Sequence, residues 1–148
     1  MALLGLDDQL CFALYSASRA MTAAYRPQLT ELGLTYPQYL VLLVLREDGR
    51  VSVGHLGDRL QLDSGTLSPL LKRMEGIGIV SRRRSVDDER QLEVMLTPQG
   101  HAIARRAECI PEKLFLATGL TGKEVAELRD EIHALTGALL ESQRKEPA

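Results

Sequence analysis

The side chains of this sequence that could bind a charged partner are concentrated in one stretch. Arg82, Arg83 and Arg84 are consecutive and Arg90 follows closely, in a chain whose net charge is −2. Guanidinium groups donate paired hydrogen bonds to phosphate oxygens, so a local cluster of this kind is typical of a nucleic-acid contact. A solvated run of charge is the alternative explanation for three consecutive arginines.

The reactive side chains are few. Cys11 and Cys109 are far apart in sequence and fit neither a disulfide framework nor a zinc pattern. The histidines are scattered, and no phosphate-cradling glycine loop or hydrolytic triad is recognisable. We therefore expect no metal, no cofactor and no catalytic residue.

The segment 51–97 must position the arginines, and its pattern predicts two helices followed by a hairpin. Apolar residues recur at helical spacing from 53 to 60, and the Ser52 hydroxyl can cap that first helix. Asp63 can cap the second helix in the same way. The second helix carries an apolar stripe for the core: Leu67, Leu70, Leu71 and Met74.

The opposite face of the second helix is small, hydroxylated and basic. It carries Gly65, Ser68, Pro69 and Lys72, with Thr66 and Arg73 at its flanks. Small residues allow close approach to a major groove, and hydroxyl and cationic side chains can bond to base edges and phosphates. An ordinary amphipathic surface helix is the alternative on spacing alone.

A predicted hairpin favours the first interpretation. Gly76 and Gly78 stop the helix, after which residues 79–84 and 91–96 frame the polar loop 85–90. A basic hairpin directly after a candidate recognition helix is where a wing reaches the minor groove. The predicted fold is therefore mainly α with a small β-hairpin wing, a winged helix-turn-helix.

The rest of the chain is predicted to be helical, within one domain covering residues 1–148. One long helix covers 7–32 and a strongly apolar helix covers about 36–46. Another begins at Thr97-Pro98, where the Thr97 hydroxyl can cap it, and restarts near Ile110, because Pro111 cannot continue it. The last helix follows Thr121, with a frayed polar tail over 141–148. No signal peptide or apolar run of ~20 residues is present, so we expect a cytoplasmic protein with no membrane contact.

The first and last helices carry more apolar surface than a small winged domain can cover. We therefore predict a symmetric homodimer, with 1–35 and 98–145 as its dimerisation part and 51–97 as its DNA-binding part. Two-fold symmetry would place two recognition helices on successive major-groove faces. The predicted partner is double-stranded DNA with an inverted-repeat operator.

Four residues of the hairpin carry a resemblance to a known family. Asp88, Arg90, Leu96 and Thr97 form D-x-R, five residues, then L-T, which resembles the wing signature of the MarR family of bacterial transcriptional regulators. Three further blocks resemble the organic hydroperoxide resistance regulators, a thiol-sensing branch of that family: CFALYS at 11–16, LTYPQYLV at 34–41 and LDSGTLSPLLKR at 62–73. The similarity spans residues 7 to about 117. It implies a dimeric repressor of an inverted repeat, with an organic hydroperoxide as inducer.

Roles in DNA binding can be assigned within this interpretation. The expected recognition-helix contacts are Ser64, Thr66, Ser68, Pro69, Lys72 and Arg73. Arg90 is expected to enter the minor groove, while Arg82 and Arg84, like Arg83 between them, contact phosphates. Asp88 is expected to orient the wing by pairing with a nearby arginine, since phosphate would repel its carboxylate. Pro69 is unexpected in mid-helix, where proline costs about 3 kcal/mol relative to alanine.

Cys11 is the expected peroxide sensor, with its thiolate held by Tyr25 and Tyr36 of the partner chain. Cys11 and Tyr25 are 14 residues apart, so a straight helix separates them by roughly 21 Å, too far for contact within one chain. Two such helices packed antiparallel across the dimer axis would bring them together. Phenol donors stabilise a thiolate, which attacks a peroxide oxygen to give sulfenic acid.

Two other functions remain open. A MarR-like repressor could respond instead to a reversibly bound small molecule, and a thiol peroxidase would use the same cysteine as a catalyst. A peroxidase, however, needs neither a basic hairpin nor a groove-fitting helix. For Cys109 the sequence favours an inert, buried residue, with a small external thiol capping oxidised Cys11. The competing outcome is an intersubunit disulfide between Cys11 and Cys109.

Overall fold

The structure is a computed structural model that describes residues 5–145. In that range the helices are α1 (Leu10–Glu31), α2 (Tyr36–Asp48), α3 (Val53–Leu60), α4 (Ser64–Gly76), α5 (Pro98–Arg106), α6 (Ile110–Thr118) and α7 (Gly122–Lys145). The strands are β1 (Val51–Ser52), β2 (Val80–Arg84) and β3 (Leu92–Leu96). Two short 3-10 turns cover Leu6–Asp8 and Ala107–Cys109. The chain divides into two compact units, one ending at Ile110 and the other beginning at Pro111.

The core of the first unit is built on α2. Its side chains at Tyr39, Val41, Leu42 and Leu45 are at most 1% exposed, as the apolar run of this helix predicts. Thr35 and Gln38 form a capping box in which the Thr35 amide donates to Gln38 Oε1 at 2.9 Å. The helix ends at Asp48, two residues later than predicted, and Gly49 (φ +73°) follows it.

The first long helix starts later than the sequence predicts. Asp7 and Asp8 lie in a 3-10 turn, and Gln9 is extended (φ −88°, ψ 118°), so α1 begins at Leu10 rather than at residue 7. The helix then runs without a break through Pro27 to Glu31. Gly33 adopts a left-handed conformation (φ +70°) that lets the chain turn towards α2.

The predicted helix caps are confirmed. Ser52 accepts from the His55 amide at 3.1 Å, and Asp63 accepts from the Thr66 amide at 2.8 Å. Thr97 caps α5 and also donates its hydroxyl to the Gly78 carbonyl oxygen at 2.6 Å. This second bond ties the start of α5 to the turn that follows α4.

The wing is a three-stranded antiparallel sheet rather than the predicted two-stranded hairpin. The strand order is β1-β3-β2, so β3 lies between the other two strands. Val94, at the centre of β3, is fully buried and lies opposite Val51 on one side and Arg82 on the other. Two residues are too short for a periodicity signal, which is why β1 was not predicted.

The second unit consists of most of α6 and all of α7. The helical restart predicted near Pro111 is confirmed, since α6 begins at Ile110. Thr121 and Glu124 cap α7 reciprocally, with the Thr121 amide donating to Glu124 Oε2 at 2.7 Å. The prediction of a frayed tail from 141 is wrong up to Lys145, where the helix ends with an ion pair to Glu141; residues 146–148 lie outside the described range.

No residue of α7 is buried within the chain. Along this helix Leu128 is 47% exposed, Ile132 37% and Leu139 54%. Among residues 5–145, no helix combines the length and the apolar character that crossing a bilayer requires.

Candidate nucleic-acid interface and cysteine site

The outer face of α4 carries the predicted recognition-helix contacts. The apolar stripe is buried as predicted: Leu67, Leu70, Leu71 and Met74 are 0–5% exposed. All six predicted contact residues are exposed: Ser64, Thr66, Ser68, Pro69, Lys72 and Arg73. One helix therefore faces the core with its stripe and solvent with its hydroxyl and cationic groups.

The Thr66 hydroxyl is already engaged at the start of α4. It donates to Asp63 Oδ2 at 3.1 Å, while Asp63 Oδ1 accepts the Thr66 amide at 2.8 Å. These bonds, first that of the amide and then that of the hydroxyl, lower the pKa of Asp63, so its carboxylate stays charged at neutral pH. With its proton in use, the Thr66 hydroxyl has only oxygen lone pairs left for a further partner.

Pro69 is accommodated on this exposed face without a break in α4. Proline lacks an amide proton, so the Gly65 carbonyl loses its usual partner four residues along. Gly65 is itself exposed, and water can therefore bond to its carbonyl oxygen. The cost expected from proline in a helix interior is reduced by that access.

The arginines of the wing fall into two groups. Arg82 donates through Nε and Nη2 to Glu75 Oε2, at 3.0 and 2.6 Å. Arg84 donates to the Glu89 carbonyl oxygen at 2.8 Å, which braces the loop. Arg83 and Arg90 are exposed, and their side chains make no hydrogen bond to another described residue. Arg82 is the only one of these four arginines whose guanidinium pairs with a carboxylate among the described residues, so it is the weakest candidate of the four for a phosphate contact.

Asp88 contacts the backbone of the wing loop rather than an arginine side chain. Its Oδ1 accepts the Arg90 amide at 3.0 Å, and Oδ2 lies 3.4 Å from Gln91 Nε2. No ion pair to Asp88 occurs among the described residues, so the expected pairing with an arginine is wrong. An aspartate readily bonds to the amide two residues ahead, and this local geometry orients the tip that carries Arg90.

The residues of the predicted cysteine site lie in two places. Cys11 is the second residue of α1 and is exposed. Tyr25, further along α1, stacks at a tilt on Tyr36 at the start of α2, with 4.9 Å between ring centroids. Since α1 is unbroken, Cys11 and Tyr25 are roughly 21 Å apart along its axis. One chain therefore brings the two tyrosines together but leaves the thiol distant from them.

Tyr39 completes a cluster of three rings that the sequence did not predict. Its centroid lies 5.6 Å from that of Tyr25 and 6.3 Å from that of Tyr36. Burial, and then proximity to both neighbours, raises the pKa of Tyr39 to about 12; burial also raises the pKa of Tyr25 and of Tyr36. All three phenols are protonated at neutral pH and can donate. The spacing of Tyr36 and Tyr39, three residues apart on one helical face, was the signal available in the sequence.

Cys109 is exposed at the end of a 3-10 turn, so the expectation of a buried residue is wrong. Its Sγ lies 3.8 Å from the Arg106 carbonyl oxygen. Within residues 5–145, no cluster of His, Cys, Asp and Glu could hold a metal ion.

The fold and the basic outer face of α4 define a winged helix-turn-helix transcriptional regulator, and comparisons with known proteins support this class. A profile of the MarR family matches residues 34–92. The regulator TtmR of Methylorubrum extorquens is 49% identical over 140 residues, covering 90% of this chain and 72% of that protein. The organic hydroperoxide resistance transcriptional regulator of Bacillus subtilis is 42% identical over 134 residues, covering 90% and 91%.

A solved structure of a DNA complex matches as well. Reduced AbfR bound to DNA has a TM-score of 0.73 and 36% identity, over 91% of this chain and 94% of that one; AbfR is a protein of Staphylococcus epidermidis. The chain belongs to the MarR family of transcriptional regulators.

Proposed function

We propose that this protein is a homodimeric repressor that releases an inverted-repeat operator when an organic hydroperoxide oxidises Cys11. The observation that carries the proposal is the layout of α1: an exposed thiol near its start, and Tyr25 packed against Tyr36 near its end. The 42% identity to a regulator named for organic hydroperoxide resistance supports the same assignment.

The DNA-binding part of the proposal rests on exposure and charge. The predicted contacts on α4 are all exposed, and Arg90 projects from a loop whose backbone Asp88 constrains. A wing tip that is already rigid loses less conformational entropy when its arginine enters a DNA groove. Lys72, Arg73, Arg83, Arg84 and Arg90 are the cations assigned to the DNA.

Dimerisation would cover apolar surface that α1 leaves exposed. Leu10 is 60% exposed, Tyr15 59% and Met21 44%, and side chains of this size on one helix are typical of an interface. If α1 packs antiparallel against its copy, the start of one helix meets the end of the other. Cys11 of each chain then lies beside the tyrosine cluster of its partner.

The oxidation step follows from ordinary thiol chemistry. The Cys11 thiolate attacks one peroxide oxygen, the O–O bond breaks, and the alkoxide leaves and takes a proton. The sulfur gains the oxygen as sulfenic acid, which can condense with a small thiol and release water. Protonated Tyr25 and Tyr36 can donate hydrogen bonds to the thiolate. A polar oxygen or a bulky adduct among these rings would disturb their packing and reorient the DNA-binding parts.

The test compares Cys11→Ser with Cys109→Ser, which removes the other exposed thiol. Operator binding is measured by fluorescence anisotropy before and after treatment with cumene hydroperoxide. We expect Cys11→Ser to bind as tightly as wild type and to stay bound after treatment, while Cys109→Ser still releases the DNA. Release by treated Cys11→Ser would refute the sensor assignment.

Mass spectrometry of the treated wild-type protein separates oxidation from a ligand response. We expect an oxygen or thiol adduct on Cys11 in the fraction that has lost the DNA. Lost binding with unmodified Cys11 would instead favour a reversible ligand. A dimer-sized band on a non-reducing gel, absent in Cys109→Ser, would establish a disulfide with Cys109.

A further inference from the structure

One ion pair connects the end of the recognition helix to the wing. Glu75 is the second-last residue of α4, and Arg82 is the central residue of β2. The guanidinium donates twice to Glu75 Oε2, at 3.0 and 2.6 Å, and the Arg82 amide donates to Oε1 at 3.2 Å. The carboxylate therefore bonds to the strand itself as well as to its side chain.

The Arg82 amide lies on the free edge of the sheet. In the ladder between β2 and β3, the Ser85 amide donates to the Gln91 carbonyl oxygen at 2.9 Å. Amides alternate in direction along a strand, so the amide of Arg82, three residues earlier, points away from β3. No strand lies on that side of β2 within the described sheet. Glu75 supplies the acceptor that a neighbouring strand would otherwise provide.

The Glu75–Arg82 ion pair is only partly exposed to solvent. The side chains are 25% exposed for Arg82 and 39% for Glu75. The side-chain bond from Arg82 is the main cause that lowers the pKa of Glu75, which therefore stays ionised at neutral pH. A charge-assisted contact that also involves the main chain restrains position more than a mobile salt bridge at the surface does.

We propose that Glu75 is a positioning residue for DNA binding, whose carboxylate fixes β2 against the end of α4 so that wing and recognition helix bind with a preset spacing. The inference rests on the proposed DNA-binding function. The two elements are joined by only three residues, 77–79, which include Gly78 in a left-handed conformation (φ +77°). The bond from Glu75 acts three residues beyond that turn, closer to the tip of the wing.

The test is Glu75→Gln. A positioning role predicts that this variant binds its operator more weakly, whereas a purely electrostatic effect predicts equal or stronger binding. Removing a carboxylate makes the protein more positive, so a passive surface residue would leave all DNA binding unchanged or stronger. A positioning residue gives a selective loss: operator affinity falls ~10-fold, while affinity for unrelated DNA holds or rises slightly. The probes are a duplex that the wild-type protein enriches from a random-sequence library and a shuffled duplex of equal length and composition.

Glu89→Gln is the control, because it removes the same charge from a glutamate in the wing loop, outside the contact between α4 and β2. The Glu89 carboxylate makes no hydrogen bond to a described residue; only its carbonyl oxygen accepts from Arg84. We expect Glu89→Gln to keep the ratio of operator to shuffled-duplex affinity, and Glu75→Gln to lower it. An equal ratio in both variants would overturn the proposal, even if Glu75→Gln melts at a lower temperature.

A second variant covers the case in which Glu75→Gln does not fold. Arg82→Lys keeps the positive charge and the main-chain amide but loses the paired guanidinium donors. We expect the same selective loss of operator affinity, of smaller size, with an unchanged salt dependence. An unaltered affinity ratio in this variant would also refute the role of Glu75. If the wild-type protein enriches no duplex, the proposed function itself fails, whereas a preference that both variants retain refutes only the positioning role.

Discussion

Replacing Arg90 by alanine tests whether the wing contacts DNA as proposed. The Arg90 side chain makes no hydrogen bond to another described residue, while its amide donates to Asp88 Oδ1 at 3.0 Å. Alanine keeps that amide and so keeps the turn at the wing tip. The substitution therefore removes a cation without loosening the loop that carries it.

The expected magnitude follows from the number of cations removed. Each phosphate neutralised contributes ~0.9 to the slope of log affinity against log salt concentration. The proposed dimer has two copies of Arg90, so the slope should become shallower by roughly 1.8. The gap between wild type and variant should then shrink by roughly 12-fold as salt rises from about 50 to 200 mM. A base contact would add about 1 to 3 kcal/mol of lost affinity.

The assay is fluorescence anisotropy of a labelled operator across a salt series. Arg105→Ala is the control, because it removes the same charge from an exposed position in α5, outside the winged segment. We expect little change of slope in this control. If Arg90→Ala changes the slope no more than Arg105→Ala does, Arg90 does not contact phosphate, and the assignment of the wing is wrong.

Three further predictions concern stability. Gly100→Ala would place a Cβ in collision with the Ile79 carbonyl oxygen and 3.2 Å from Leu96 Cδ2, so urea denaturation should show that the free energy of unfolding falls by ~3 kcal/mol. The control Gly76→Ala adds its Cβ in open space and should leave the free energy of unfolding unchanged. Equal effects of the two variants would contradict the packing argument. Tyr39→Phe removes a buried hydroxyl that has no hydrogen-bond partner among residues 5–145, so the free energy of unfolding should stay level or rise by up to ~1 kcal/mol. A clear fall in the free energy of unfolding would mean that the hydroxyl does have a partner. The pKa of Asp63 is lowered by its bonds to Thr66, so its contribution to stability is present above the unfolded pKa of ~3.9 and is lost as pH falls through the lower folded value. Asp63→Asn keeps a capping oxygen but has no charge to lose. In thermal melts below about pH 4, this variant should therefore lose less stability than the wild-type protein does.

The periodic features of the fold could be predicted from the sequence because their causes are local. The stripe of α4 follows from helical geometry, and all four of its residues are buried. Ser52, Asp63 and Thr97 cap the helices they precede because each needs only an amide within three residues. The resemblance to the MarR family depended on short blocks of the same kind, and the family is confirmed.

The partners of individual charged side chains could not be predicted in this way. Asp88 was expected to pair with an arginine, yet it bonds to an amide two residues away. Arg82 was expected to contact phosphate, yet its guanidinium bonds to Glu75. Several carboxylates lie at similar sequence separations from each arginine of the cluster, so spacing alone does not predict which of them pairs with it.

By itself, the sequence determined the succession of helices, their caps, the basic wing and the family. Only the tertiary structure decided that β1 joins the sheet, that Tyr39 joins Tyr25 and Tyr36, and that Glu75 holds β2. The physical reason is the range of the forces involved. Caps and apolar periodicity act within one or two turns of the chain, whereas an edge amide or a ring finds its partner only after the chain has folded back on itself.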